Sequence, residues 1–207
     1  MESREGKLAE EATFQVVVLI LKYKKDYRGI GLVEVMWKVV TAILNLWITA
    51  SITFHDSLHR FWAGRGPGTA ILKAKLLQKL ASLKADVLYV ILLYMHKGYD
   101  VLDRSMCLDI LEGYSVGLHA RRLLQIYWRR LTIISRAGGY YGTVFQVAHG
   151  VTQGDPLSPT IFNVVVDTLV QHWVAVVISG TEKQGERGQE SSHQAALFYT
   201  YGGMVAS

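Results

Sequence analysis

The stretch GVTQGDPLSPTIFNVVVDTLVQHW, residues 150–173, restricts the fold of this chain more than any other. Ser158 predicts a helix N-cap, because its hydroxyl can accept hydrogen bonds from the free amides of the first helical turn. Pro159 follows it, and proline suits the first helical position because its fixed φ is already helical. Apolar residues then recur at helical spacing. The stretch therefore predicts a tight turn that leads directly into a buried helix.

Composition narrows the class of protein only a little. The 207 residues suit one domain, or two small lobes that share a cleft. A net charge of +5 mildly favours an anionic partner such as nucleic acid. The single cysteine, Cys107, excludes an internal disulfide and a cysteine-based zinc site. The polar N-terminus is no secretory signal, so we predict an intracellular protein, cytoplasmic or nuclear.

The apolar run GLVEVMWKVVTAILNLWITASITF, residues 31–54, raises the question of a membrane span. Its uncharged part is shorter than the ~20 residues that cross a bilayer. Polar residues recur along it at steps of three or four, and they are Glu34, Lys38, Thr41, Asn45 and Thr49. This pattern predicts a buried helix with one polar, solvent-facing edge, and no membrane partner.

Local patterns along the rest of the chain predict a mixed order of helices and strands. The first half is predicted to contain a strand over 14–21, a basic turn over 22–29, a loop over 55–68, an amphipathic helix over 69–86 with its leucines on one face, and a strand over 87–95 covered on both faces. The second half is predicted to contain helices over 104–112 and 118–130, a hairpin over 131–148, a surface loop over 180–194, and a final strand, turn and strand.

Taken singly, the polar clusters do not commit the protein to a chemistry. His55 and His59 lie one helical turn apart, but no third metal ligand accompanies them, so a solvated pair is expected. The glycines of GRGPG lack the Lys-Ser/Thr pair that completes a phosphate-binding loop. No metal site is predicted from these residues.

Four segments together resemble a known family. GVTQGDPLSPTIFNVVVD resembles a signature of reverse transcriptases from non-LTR retrotransposons. VVLILKYKKDYRGIGLVEVMWKVV is similar to their fingers segment, YVILLYMHKGYDVLDR to the first palm strand, and ALFYTYGGMVAS stands where the family carries its Tyr-Ala-Asp-Asp hairpin. The order and spacing of the four segments agree with the family over residues ~14 to 207.

The resemblance implies an α+β fold, the fingers–palm core of a right-hand polymerase. Its antiparallel palm sheet would pack on helices, and no thumb is expected. The predicted segments are a polar tail over 1–13, a fingers-like segment over 14–86 and a palm-like segment over 87–207. Residues 87–95 and 197–206 should then be neighbours in the palm sheet. The implied activity is RNA-templated DNA synthesis.

The resemblance also assigns a nucleotide site. Gln153 and Gly154 match the positions that contact the incoming nucleotide and the template base. Tyr99 matches the aromatic residue that stacks under the sugar. Lys22 and Arg28 match the fingers cations that hold the triphosphate through charge-assisted hydrogen bonds.

The chain departs from the family at its metal ligands. Active members hold two Mg²⁺ ions on carboxylates, which are the hard oxygen ligands that this ion prefers. Those three positions are occupied here by Tyr94, Tyr201 and Gly202. Asp100 lies past the strand end and is not expected to replace them. We therefore predict no bound cofactor or metal and a catalytically inactive enzyme.

Two other functions stay open at this stage. The chain could be a non-catalytic remnant that binds RNA or DNA weakly and without sequence preference, or a membrane-associated or interaction protein. Candidate nucleic-acid contacts are the arginines Arg65, Arg121, Arg122, Arg129 and Arg130. Apolar palm surface left uncovered would favour self-association.

Overall fold

The computed structural model describes residues 13–23, 26–85, 87–88, 90–93, 95–185 and 198–200. Within these residues the chain forms six strands and five helices, in mixed order. They are β1 (Phe14–Tyr23), β2 (Asp26–Leu32), α1 (Val35–Ser51), α2 (Pro67–Lys84), β3 (Ile91–Leu93), α3 (Arg104–Gly113), α4 (Leu118–Arg130), β4 (Thr132–Ala137), β5 (Tyr140–Gln146), α5 (Ser158–Gly185) and β6 (Phe198–Thr200). The predicted α+β class is confirmed.

The larger sheet has four strands in the order β2-β1-β4-β5. β1 lies antiparallel to β2 and parallel to β4, and β4 lies antiparallel to β5. The predicted turn over 22–29 is wrong for residues 22–23, which belong to β1, and for residues 26–29, which belong to β2. Arg28 pairs with Ile20 and Gly29 with Leu19, so the ladder continues through the basic segment.

The hairpin between β4 and β5 is confirmed, together with the role of its two glycines. Gly138 and Gly139 have φ of 56° and 88°. Two successive positive φ angles define the hairpin turn whose twist matches that of paired strands, and glycine adopts them without steric cost. The Gly-Gly pair, a local signal, was therefore sufficient to predict this hairpin.

β3 and β6 form a second, two-stranded sheet. Ile91 pairs with Phe198 and Leu93 with Thr200, which confirms that these distant segments are neighbours. The pairing is parallel, so the predicted antiparallel palm sheet is wrong here. More than a hundred residues connect the two strands, and a connection of that length permits the crossover that parallel strands require. Val87 and Val90 are exposed, so the predicted coverage of this segment is also wrong there.

α1 buries part of the edge that the sequence predicted to face solvent, although Thr49 of that edge is exposed as predicted. Thr41 is fully buried, whereas Met36 and Trp47 are exposed. The Thr41 hydroxyl donates to the Trp37 carbonyl over 3.1 Å, and Asn45 Oδ1 accepts from the Thr160 hydroxyl over 2.5 Å. Because these polar groups are hydrogen-bonded inside the protein, their burial costs little. Apolar side chains occur on all sides of this helix, so the polar stripe did not identify which side faces solvent.

α2 shows the same reversal. Its buried residues are Ala70 and Ala81. The leucines that define its predicted apolar face are exposed, and they are Leu72, Leu76, Leu80 and Leu83. The helix itself is confirmed, but the small residues and not the leucines pack against the protein.

The helix that follows the Gln-Gly-Asp-Pro turn begins at Ser158, as predicted. Its cap differs from the prediction, because Ser158 is itself the first helical residue. Asp155 Oδ1 accepts from the Leu157 amide over 2.8 Å, and the Leu157 carbonyl accepts from the Ile161 amide over 3.0 Å. The helix continues to Gly185, so residues 180–185 of the predicted surface loop are helical.

The chain divides into two compact units, each made of two separate parts of the sequence. One unit contains residues 1–52 and 98–162, and the other contains 53–97 and 163–207. The pairing of β1 with β4 explains part of this division, since it joins residues 14–18 to residues 132–136. In the described residues we find no helix with both the length and the apolar character needed to span a bilayer.

Candidate nucleotide-binding site

The turn before α5 lies directly against β2. The Gly31 amide donates to the Gln153 carbonyl over 2.7 Å. A Cβ at Gly31 would lie 2.3 Å from Thr152 Cγ2, and a Cβ at Gly154 would lie 2.5 Å from the Gly31 carbonyl oxygen. Gly154 also has φ of 120°, which L side chains rarely adopt. Both positions therefore require glycine for this close approach.

Gln153 links a cation on β2 to a carboxylate after β3. Arg28 Nε donates to Gln153 Oε1 over 2.9 Å. Gln153 Nε2 donates to Asp100 Oδ1 at 3.5 Å, the outer limit of a hydrogen bond. The amide is therefore oriented at both ends, with its oxygen toward Arg28 and its nitrogen toward Asp100.

Tyr99 is fixed beside the same turn. Its carbonyl accepts from the Val151 amide over 2.8 Å. Its ring stacks on Phe162 with centroids 5.1 Å apart and planes 4° apart. The structure thus brings Arg28, Tyr99, Gln153 and Gly154 together. Lys22, the fifth residue of the predicted set, belongs to β1.

A buried polar network supports the turn from below, and the sequence analysis did not identify it. Gln15 is fully buried, and its Oε1 accepts from the Thr152 hydroxyl over 3.0 Å. Gln15 Nε2 donates to the Tyr127 hydroxyl. A glutamine inside the apolar strand FQVVVLIL was the one signal available. A buried amide needs partners, and these partners lie more than a hundred positions away.

Asp155 anchors the other side of the turn. Its Oδ2 accepts from Trp37 Nε1 over 3.2 Å, and its Oδ1 accepts from the Leu157 amide. The Trp37 ring stacks on Tyr127 with centroids 3.8 Å apart. Burial raises the pKa of the Asp155 carboxyl above its usual value, although these hydrogen bonds act in the opposite direction. The turn is thus held on both sides by buried side chains.

Arg65, one of the predicted nucleic-acid contacts, is engaged within its own loop. Its Nη2 lies 2.7 Å from Asp56 Oδ1, and its Nη1 donates to the carbonyls of Asp56 and Leu58 at 3.1 Å each. The guanidinium also lies 5.6 Å from the centroid of the Trp62 ring. These contacts hold the loop before α2 together.

The four arginines of α4 differ in their surroundings. Arg121 pairs with Glu112 over 2.7 Å and donates from Nε to the Val116 carbonyl over 3.0 Å. Arg122, Arg129 and Arg130 are exposed. Three of the four predicted cations on this helix therefore face solvent.

The substituted acid positions, Tyr94, Tyr201 and Gly202, lie outside the described residues. Among the residues that are described, no group of three histidine, cysteine, aspartate or glutamate side chains could hold a metal ion. The His55 amide donates to Asp167 Oδ1 over 2.7 Å, which ties the loop after α1 to α5.

Comparison with known proteins identifies the family. Residues 20–185 match the model of the reverse transcriptase (RNA-dependent DNA polymerase) family. The chain belongs to the reverse transcriptase family. The prediction of a reverse transcriptase from a non-LTR retrotransposon is thereby confirmed, and the relatives agree with it.

Several relatives are Pol polyproteins of R2 retrotransposable elements. The Nasonia vitripennis type-1 R2 polyprotein is 31% identical over 112 residues, which cover 52% of this chain and 10% of that protein. The Drosophila melanogaster R2DM polyprotein is 26% identical over 150 residues, 72% of this chain and 14% of that protein. The Popillia japonica type-1 R2 polyprotein is 31% identical over 94 residues, 44% of this chain and 15% of that protein. The matched regions are therefore small parts of much longer relatives.

Proposed function

We propose that this chain is a reverse-transcriptase core that retains the nucleotide-contacting turn and has lost catalysis. The Arg28–Gln153 hydrogen bond carries the proposal, because it joins a fingers cation to the turn that would lie under the incoming nucleotide. Gly31 and Gly154 allow the close backbone approach, and the buried Asp155 makes the turn rigid. Rigidity favours correct placement of a nucleotide, on which much of the catalytic rate depends.

Fingers and palm are part of this proposal. The β1–β2 hairpin carries Lys22 and Arg28 and would act as the fingers that hold a triphosphate. The β3–β6 pair would be the centre of the palm. In the sequence, Tyr94 directly follows β3 and Tyr201 directly follows β6.

Loss of catalysis follows from the chemistry of the residues at three positions. Tyr94 and Tyr201 would each offer one neutral phenol, with a reference pKa near 10, and Gly202 offers no side chain. Two divalent ions repel each other and need several anionic ligands to be held together. The residues at these positions do not fit the metal pair, so no metal-assisted step is assigned to this chain.

Binding of RNA or DNA without catalysis is the second candidate function. The solvent-facing side chains of Arg122, Arg129 and Arg130 favour it, because phosphate contacts by exposed cations supply most sequence-independent affinity. Such binding would be weak and would fall with salt.

Restoring the acids tests the proposal. The triple variant Tyr94→Asp, Tyr201→Asp and Gly202→Asp should gain Mg²⁺ or Mn²⁺ affinity in the presence of nucleotide, measured by calorimetry. The matched control places Asn at the same three positions and should gain none, since it has similar size and no charge. The parent should show no metal-dependent primer extension. Extension by the parent would refute the loss of catalysis, and a folded triple variant without metal affinity would refute the site assignment.

A further inference from the structure

A cavity of about 370 Å³ lies among α3, α4 and the end of β5. Its volume falls within the range of small-molecule sites in proteins. Six of its lining residues can donate hydrogen bonds through their side chains, and they are Arg104, Ser105, Gln125, Trp128, Arg129 and Gln146. The lining contains no carboxylate and shares no residue with the candidate nucleotide-binding site.

Arg104 is a buried cation in this wall. Its Nε donates to the Gly150 carbonyl over 2.8 Å, and its Nη1 donates to the carbonyls of Trp128 and Val147 over 2.9 and 2.5 Å. A guanidinium has five N–H groups, so two on Nη2 stay available for a ligand or solvent. Within the described part of the chain, no Asp or Glu pairs with Arg104. A buried charge without a counter-charge is costly, and an anion would offset that cost.

Arg129 adds a second cation to the same wall. It is exposed on α4, and its carbonyl accepts from Gln146 Nε2 over 3.3 Å, which holds the end of β5 to the end of the helix. Asp103 does not line the cavity, but its carboxylate accepts a hydrogen bond from the hydroxyl of Ser105, a lining residue, over 2.5 Å. The charged side chains in the lining are therefore both positive, Arg104 and Arg129.

We propose that this cavity binds a phosphate-class anion, either a phosphodiester of a nucleic-acid strand or a free polyphosphate. Guanidinium groups match the oxygens of phosphate in pairs, and the side-chain amide of Gln125 in the cavity wall can supply a further donor. Binding of a strand would rest on the proposed nucleic-acid function, whereas binding of a free polyphosphate would not. Trp128 is buried, so the cavity would recognise phosphate and not a stacked base.

The test compares Arg129→Ala with Arg122→Ala, which removes another exposed arginine of α4 that does not line the cavity. One arm measures anisotropy of a labelled oligothymidine of about 12 nucleotides, a length that fits common single-strand sites. Arg129→Ala should weaken binding at least about threefold more than Arg122→Ala does, because Arg129 would make a paired contact inside the cavity in addition to the counterion release expected of an exposed arginine. The other arm measures the rise in Tm caused by inorganic pyrophosphate, against chloride at equal ionic strength.

The two arms separate the possible results. A difference between the variants with oligothymidine supports the strand as ligand. A pyrophosphate effect that only Arg129→Ala abolishes, without an oligothymidine difference, supports free polyphosphate. Pyrophosphate binding without any oligothymidine binding by the parent would leave the cavity site intact and refute the nucleic-acid function. If neither arm distinguishes the two variants, the cavity site is refuted, even where the parent binds nucleic acid.

Discussion

Arg28 and Gln153, 125 positions apart in the sequence, share a 2.9 Å hydrogen bond from Nε to Oε1. The bond orients the Gln153 amide, whose nitrogen then points to Asp100. A nucleotide that entered this site would meet a glutamine whose donor and acceptor positions are already set. Such preorganisation lowers the entropic cost of binding.

This pair should be energetically coupled. Arg28→Ala and Gln153→Ala should each lower the free energy of unfolding by about 1 kcal/mol, the usual net value of a partly buried hydrogen bond. The double variant should cost less than the sum by about 0.5 kcal/mol or more, measured by urea unfolding in a double-mutant cycle. Gln153→Ala combined with Arg122→Ala is the control and should be additive. Additivity in the Arg28 cycle as well would show that the bond is absent in solution.

Gly31 should be intolerant of any side chain while Thr152 keeps its methyl group. Gly31→Ala would place Cβ 2.3 Å from Thr152 Cγ2 and should destabilise the protein by about 1–3 kcal/mol, the cost of overpacking. Adding Thr152→Ser removes the clashing methyl group and keeps the hydroxyl that donates to Gln15, so it should recover most of the loss.

Chemical unfolding of the single and double variants measures this rescue. Gly113→Ala is the matched control, because a Cβ there meets no atom within 4 Å. A double variant no more stable than Gly31→Ala alone would show that β2 and the turn are not in contact.

Asp155 should make stability depend on pH. Its folded pKa lies above the ordinary 3.8 because of burial, so the folded state favours the protonated acid. That contribution is present below pH 3.8 and is lost as pH rises through the folded pKa. Asp155→Asn cannot titrate, so the stability of the parent relative to this variant should decline as the pH rises from below 3.8 through the folded pKa of Asp155.

Taking the difference between parent and variant at each pH cancels the other acids. Glu34, Asp56 and Asp103 have lowered pKa values and contribute in the opposite direction, losing stability as pH falls. Urea unfolding of the parent and of Asp155→Asn at several pH values measures this difference in stability. A difference that is constant, or that grows with pH, would contradict a raised pKa for Asp155.

Binding of single-stranded nucleic acid should fall steeply with salt, and the arginines of α4 should contribute unequally. Arg122→Ala should reduce the slope of log affinity against log salt by about one, because an exposed arginine that contacts phosphate releases about one counterion. Arg121→Ala should change the slope less, since Arg121 already pairs with Glu112. Anisotropy titrations at several salt concentrations check this, and equal effects of the two substitutions would argue against it.

The isolated chain should self-associate through exposed apolar side chains. On α1, Leu46 and Trp47 are each 67% exposed, beside a row of other exposed apolar residues. The double variant Leu46→Gln and Trp47→Gln should shift sedimentation velocity profiles toward monomer, because association would then bury less apolar surface. Ala50→Gln, on the same helix, is the control. A parent that sediments as a monomer at high concentration would contradict the prediction.

Sequence patterns predicted the helices and strands of this fold better than they predicted which side chains are buried and how strands pair. The hairpin at Gly138-Gly139 and the helix from Ser158 depend on local chemistry, and both are confirmed. The burial of Thr41 and the parallel pairing of β3 with β6 depend on partners far along the chain, and both predictions were wrong. Periodicity shows that a helix has two faces but does not show which one finds a partner.

The candidate site divides in the same way. The resemblance to the family supplied Arg28, Tyr99, Gln153 and Gly154, which the structure brings together. It did not supply Gln15 or the buried partners beneath the turn, because no local pattern connects a strand glutamine to Thr152 and Tyr127.

The parallel pairing of β1 with β4 has a consequence for synthesis on the ribosome. β1 and its hairpin partner β2 are adjacent in the chain and can pair as soon as both emerge. The far side of β1 must wait for residues 132–136, more than a hundred positions later. At translation rates of 5–20 residues per second, that delay is on the order of ten seconds. During this interval the nascent chain carries an open strand edge rich in valine and leucine, so chaperone occupancy during translation should be highest before β4 appears.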